Sequence, residues 1–283
     1  MTDSSKNQQP RRSHRWLDDL RLALMLLTRI PLPVSKASES RAGDTMAQAA
    51  WVFPAVGLLV GLAGGGVFMF ASGLGLGLSS AALLAMGTQI LLTGALHEDG
   101  LADMADGFGG GRNRERKLEI MRDSRIGTYG VVALVLALSL RFTALQDLGS
   151  NLLSISDELD ESTGQNSAVI IALIAAGTLS RGAMTAVWYM LPPARNDGLA
   201  AGSGNVSSGV AVTAVVLAVA IAYVMLPGFA FVIACGTVAV LAIAVAGLAY
   251  WQIRGHTGDV LGATQQITEI GALLAIGVAT IAA

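Results

Sequence analysis

Charge is what this chain most lacks. Only 13% of its 283 residues are Asp, Glu, Lys or Arg, about half the share usual in a soluble domain. A soluble globular fold is therefore disfavoured. The net charge of −2 gives no bulk attraction to nucleic acid, so no nucleic-acid partner is expected. A single cysteine, Cys235, rules out an internal disulfide, and its apolar setting reads as a small buried side chain. His97-Glu98 lacks the second histidine of a zinc-protease helix. There is no Gly-Lys-Ser/Thr phosphate loop and no Gly-x-Ser-x-Gly elbow. Residues 1–10 are polar, with no apolar stretch leading to a cleavage site, so no signal peptide is expected.

What the chain has in abundance is apolar sequence: 53% of residues are hydrophobic and the mean hydropathy is +0.60. Seven apolar stretches, near 48–72, 78–96, 127–145, 167–190, 209–226, 229–250 and 260–282, approach the roughly 20 residues needed to cross a bilayer. Residues 14–30 are too charged to span. Trp16, Leu17, Leu20, Leu24 and Leu27 recur at helical spacing, predicting a helix on the membrane surface or packed on the bundle. The expected fold is all-α: a polytopic bundle of about seven spans with an N-terminal interfacial helix. Residues 1–13 read as a disordered tail and 14–283 as one membrane-embedded domain. Gly57, Gly61 and Gly65, four apart, predict close helix packing.

Loop charge orients the bundle. Residues 98–126 carry Arg112, Arg114, Arg116, Lys117, Arg122 and Arg125; the later loops on that side carry Arg195 and Arg254. The segment 146–166 carries acids and no Lys or Arg. The basic loops belong on the cytoplasmic side, with the C-terminus outside. Arg141, near the outer end of the third stretch, runs against this trend.

Chemistry concentrates at residues 94–107. Asp99, Asp103 and Asp106 are spaced four and three apart, which stacks their carboxylates on one helix face. Such crowding repels unless a cation sits in it, and oxygen-only donors suit Mg²⁺ before Ca²⁺ or Mn²⁺. A solvated acidic face is the alternative. Arg122 and Arg125, in a segment with Asp123, suit phosphate oxygens or act as lipid anchors; for Arg114 and Arg116 anchoring is the better reading. Arg181 falls about ten residues inside the fourth stretch, roughly 15 Å deep, where a charge is costly and points to function. Arg195 and Asp197 are candidates in a polar turn. Asp259 enters the last stretch, and Glu269 lies ten residues into it. Pairing with Arg181, or reaching a metal, would offset the cost of burying Glu269. His256 reads as an interfacial polar residue. Acids for a metal and arginines for anionic oxygens, at one mouth of a bundle, are the parts of phosphoryl chemistry.

These residues also carry a resemblance. LTRIP (27–31), FPAVG (53–57), HEDGLADMADG (97–107), MRDSRIGTYG (121–130), Ser180-Arg181, Ala194-Arg195 with Gly198-Leu199, and TGDVLGA (257–263) with Glu269 run in the order of the cobalamin synthase family. The chain resembles these adenosylcobinamide-GDP ribazoletransferases over nearly its whole length. It departs from them at Glu98, where an apolar residue is usual, at His256, where glycine is usual, and in a long acidic segment at 146–166.

The resemblance implies an enzyme of the inner membrane with its site facing the cytoplasm. A ribose hydroxyl of α-ribazole, or of its 5′-phosphate, attacks the phosphate attached to cobinamide of adenosylcobinamide-GDP, and GMP leaves, with Mg²⁺ required. Mapped onto this chain, Asp99, Asp103 and Asp106 hold the metal. Arg122, Arg125, Arg181 and Arg195 bind phosphate oxygens, and Asp106 or Asp259 takes the hydroxyl proton. His97, Glu98, Asp123 and Glu269 are further site candidates. The other expected partner is membrane lipid, and a homo-oligomer is allowed for. Two alternatives stay open: a CDP-alcohol-type phospholipid phosphotransferase, whose Asp-Gly helix motif is similar, and a transporter with broken helices.

Overall fold

The computed structural model describes residues 15–33, 44–151, 161–195 and 204–281. The predicted tail at 1–13, residues 152–160 of the acidic segment and Asp197 lie outside them. Among the described residues the structure is helical, apart from a single backbone bridge between Pro193 and His256.

Helix α1 (Arg15–Leu27) is amphipathic and short. It packs on the bundle through Ala23 and Leu27, leaves Trp16 exposed, and is tied down by a hydrogen bond from the Trp51 indole to Asp19 (2.9 Å). The sequence allowed a helix on the membrane or on the bundle; packing of this face favours the bundle. Helix α2 (Asp44–Ala49) and a 3-10 turn (Ala50–Val52) lead directly into α3 (Phe53–Gly73). The remaining elements are α4 (Leu78–Thr93), α5 (Leu96–Gly110), α6 (Arg114–Ile120), α7 (Thr128–Asn151), α8 (Glu161–Met190), α9 (Ser208–Met225), α10 (Gly228–Ile253) and α11 (Gly258–Ile281).

The seven expected apolar stretches correspond to α3, α4 and α7–α11. Five helical runs are long and apolar enough to cross a membrane on their own: Met46–Gly73, Thr128–Ser150, Ser167–Met190, Ser208–Met225 and Gly228–Ile253. A sixth is made only by α4 and α5 together, with a bend of 86° between them. The bend is local backbone chemistry: Gly94 (φ 64°) and Ala95 (φ 56°) are both left-handed, which ends one helix and redirects the next. Helix α5 therefore runs in a direction sharply different from α4. Helix α11 is less apolar because it faces protein and not lipid; its Gln265, Gln266 and Glu269 are all buried.

Helix α8 is the central post, with 83% of its span buried against 22% for α7 and for α9. The glycine ladder explains how closely α3 approaches it. A methyl group on Gly61 would lie 2.5 Å from the Leu173 carbonyl oxygen, and one on Gly65 2.6 Å from Ile170. Only hydrogen at these positions lets the two backbones meet.

Candidate active site

The mouth is assembled by four segments. Helices α5 and α11 cross at Gly100 and Gly262, where a side chain at Gly100 would meet the Asp259 carbonyl oxygen at 3.0 Å. This close crossing places Asp99 and Asp259 on facing walls. Thr257 caps α11: its hydroxyl accepts from Val260 N (3.3 Å) and donates to Asp259 Oδ2 (3.0 Å). The loop before α11 is stitched to the loop after α8, with Ala194 N donating to the His256 carbonyl and His256 N to the Pro192 carbonyl, both at 2.8 Å. That pairing sets Arg195 beside Asp259, with Nη2 to Oδ2 at 3.0 Å. Arg114 braces the same two loops by donating to the carbonyls of Ala194 (2.6 Å) and Ile253 (2.9 Å). It serves as a brace and not as the lipid anchor the sequence suggested.

Behind this mouth lies a cavity of about 340 Å³. Asp99, Asp259 and Arg195 line its polar side; Phe53, Trp188 and His256 are among the rings on its other walls. Leu26 and Leu27 of α1 close it from one side. His256 is buried, and burial holds its imidazole neutral by lowering its pKa to about 4.

Asp103, one turn beyond Asp99 on α5, is half-buried. Burial pushes its carboxyl up to about 7, with the neighbouring carboxylates of Asp99, Asp259 and Asp106 adding to the rise and Arg195 opposing it. The mouth thus holds more negative charge than its own arginine neutralises. Among the described residues no three His, Cys, Asp or Glu side chains form a ready-made cation cage. The donors nonetheless suit a hard divalent cation of the Mg²⁺ type, which is commonly held by one or two carboxylates with substrate phosphate oxygens completing its shell.

The aspartate trio expected from the sequence is divided by the structure. Asp106 is buried and spent on the N-terminus of α7, its two oxygens accepting from Gly127 N (2.7 Å) and Gly130 N (2.8 Å). The first-turn N–H groups of a helix need such acceptors, and a carboxylate suits the positive end of the helix. The glycines leave room for it, since a side chain at either would collide with the Asp106 carboxylate. In the structure Asp106, expected as one of three clustered ligands or as the base, caps α7.

A second group lies deeper. Glu269 pairs with Arg141 (2.7 Å) and Arg181 (3.4 Å); Arg141 also meets Glu98 (3.4 Å) and donates to Gln89 (2.7 Å). Gln266 donates to Glu98 (3.0 Å), and Gln265 donates to Glu269. All of these residues are at least 92% buried. Arg181, expected on substrate phosphate, is thus neutralised within the bundle, and Glu269 finds the arginine partner that its depth demanded. Glu98 belongs to this network and not to the mouth, whereas its neighbour His97 is a buried cavity residue. Sequence reasoning undervalued Arg141, Gln89, Gln265, Gln266 and Trp188. Depth in an apolar helix was the available signal for Arg141.

Arg125 and Asp123 sit on the surface between α6 and α7, paired at 2.6 Å, with the Arg125 side chain 86% exposed. Hydrogen bonding to Arg125 holds the Asp123 carboxyl at about 2. Arg122 is exposed in the same segment. None of the three lines the cavity.

Comparison with known proteins adds a family. A family model described as cobalamin-5-phosphate synthase matches residues 19–277. The chain is 44% identical to a protein of Mesorhizobium japonicum named adenosylcobinamide-GDP ribazoletransferase, over 93% of this chain and 94% of that one. Proteins of the same name from Bradyrhizobium diazoefficiens (46% identity, 90% and 92% covered) and Azorhizobium caulinodans (42%, 94% and 97%) are similar to it as well. No solved structure matches the chain.

Proposed function

The chain belongs to the cobalamin-5-phosphate synthase family, and from that premise we propose that it is a membrane transferase joining adenosylcobinamide-GDP to α-ribazole, or to α-ribazole 5′-phosphate, with release of GMP. The observation that carries this reading is the meeting of Asp99, Asp259 and Arg195 at one cavity, with Asp103 one turn along α5 and within electrostatic reach of all three.

In the proposed reaction the ribose hydroxyl oxygen bonds to the phosphorus attached to cobinamide. The bond from that phosphorus to the oxygen bridging the diphosphate breaks, and GMP departs with that oxygen. Asp259, on the cavity wall, accepts the hydroxyl proton. Its hydrogen bonds from Arg195 and Thr257 fix the orientation of the carboxylate. Arg195 is also the guanidinium placed to hold phosphate oxygens, since planar forks bind them in pairs. Asp99 and Asp103 would hold Mg²⁺, which would supply neutralisation of the negative charge on the leaving group. The apolar helices fit a multi-pass protein of the inner membrane. The basic residues of the segments around the mouth support a cytoplasmic orientation.

The test is turnover. Purified protein in detergent, given adenosylcobinamide-GDP, α-ribazole and Mg²⁺, is expected to release GMP in step with a cobalamin product. Absence of both, from protein that elutes as a folded species, overturns the reading.

A further inference from the structure

The ring-lined part of the cavity has a chemical character of its own that the proposed reaction steps do not use. Its rings follow one another at tilted angles: Phe53 and Trp188 lie 6.3 Å apart at 33°, and Trp188 and His256 6.2 Å apart at 59°. Three of its wall residues carry buried ring nitrogens without a hydrogen-bond partner: Trp188 Nε1, His256 Nδ1 and His97 Nε2. Trp188 is only 5% exposed, and an indole N–H is a donor with no other role. A buried donor without an acceptor carries a penalty that a suitable ligand atom removes.

We propose that this cavity binds the benzimidazole base of α-ribazole, with the Trp188 indole N–H donating to the one ring nitrogen of that base not bonded to the sugar. The proposal rests on the transferase reading above. Size and chemistry decide among the parts of the two substrates. At about 340 Å³ the cavity is at the small end of ligand sites, so a single nucleoside base fits and a corrin macrocycle does not. Guanine presents N–H and amino donors along its edge and needs carboxylate or carbonyl acceptors. The unpartnered polar atoms of the interior are ring nitrogens, and of the two carboxylates on the cavity's polar side Asp259 is already paired with Arg195. Dimethylbenzimidazole presents one acceptor nitrogen and an otherwise apolar, methylated edge, which suits Leu26, Leu27 and Met184. With the base inside, the attached ribose points back to the mouth, where Asp259 stands.

The test pairs a variant with an altered nucleoside. Trp188→Phe keeps the ring and removes the N–H. It is expected to raise the KM for α-ribazole about tenfold, equivalent to about 1.4 kcal/mol, while the KM for adenosylcobinamide-GDP holds. The dimethylindole riboside, with carbon in place of the acceptor nitrogen, is expected to bind wild-type protein about tenfold more weakly than α-ribazole. Trp188→Phe protein should bind the two nucleosides equally. The nucleoside comparison uses equilibrium binding to wild-type protein, so neither a misfolded variant nor an absence of turnover obscures it. Equal wild-type affinity for both nucleosides overturns the proposal. So does a rise confined to the KM for adenosylcobinamide-GDP, which would assign the cavity to guanine. Discrimination between the nucleosides without any GMP release would leave the base site standing and defeat the transferase reading alone.

Discussion

Replacing Glu269 by methionine removes the one carboxylate that touches both buried arginines. The network holds Arg141, Arg181, Glu98 and Glu269, two charges of each sign. Glu269→Met leaves it with a net +1, in surroundings where Arg181 is 1% exposed and Arg141 3%. Stripping one partner from a buried pair costs about 3–5 kcal/mol, because the remaining charge stays buried and unpaired. Arg141→Met leaves a net −1 and should cost a similar amount. The double variant removes one charge of each sign and restores neutrality between Arg181 and Glu98. It is expected to lose no more stability than the worse single variant. That corresponds to a coupling of about 3 kcal/mol, the upper end for interacting neighbours. The assay is reversible unfolding in mixed micelles titrated with a denaturing detergent and followed by tryptophan fluorescence. Additive losses in the double variant, or a Glu269→Met protein as stable as wild type, would refute the reasoning. The network matters to the mouth because Glu98 lies on α5 next to Asp99 and is gripped by Arg141 of α7 and Gln266 of α11.

Three further outcomes follow from the packing. Asp106→Ala strips the cap from α7 and should cost about 1–2 kcal/mol in the same unfolding assay; loss of turnover without loss of stability would return Asp106 to the reaction centre. Gly61→Ala pushes a methyl group to 2.5 Å from a backbone oxygen of α8 and should destabilise by about 1–3 kcal/mol. Gly66→Ala, on the same helix with open space beside it, should leave stability unchanged. Arg125→Ala breaks only an exposed pair, so stability and the KM for adenosylcobinamide-GDP should stay within about twofold. The Asp123 carboxyl should then titrate above its present value of about 2; a large KM rise would place Arg125 on substrate phosphate.

The helices were legible because burial in lipid demands long apolar runs, and the Gly57, Gly61 and Gly65 ladder announced one contact outright. The membership of the mouth was only half legible. Asp99 and Asp259 are far apart in sequence and meet because Gly100 and Gly262 let two helices cross, a contact no local pattern encodes. Helical spacing put Asp106 on the face of Asp99 and Asp103, but spacing is blind to the neighbouring helix N-terminus that claims its carboxylate. Depth alone suggested the pairing of Arg181 with Glu269, which the structure shows at 3.4 Å, whereas the sharing of Glu269 with Arg141 depended on the register between α7, α8 and α11. Arg141 looked anomalous for the same reason, since its counter-charges come from α5 and α11. The bend at Gly94 and Ala95 was half visible: glycine signalled a stop, while the left-handed alanine and the 86° turn emerged only in three dimensions.

The central claim is that the carboxylates on facing walls of one mouth carry out phosphoryl transfer. Its most direct test is the rate of GMP release by Asp103→Asn and Asp259→Asn proteins, measured beside wild type under saturating substrates and Mg²⁺. Each rate should fall by about a hundredfold or more, as when a proton acceptor or a charge-neutralising group is removed, with both proteins still folded. Rates near wild type in both variants would contradict it.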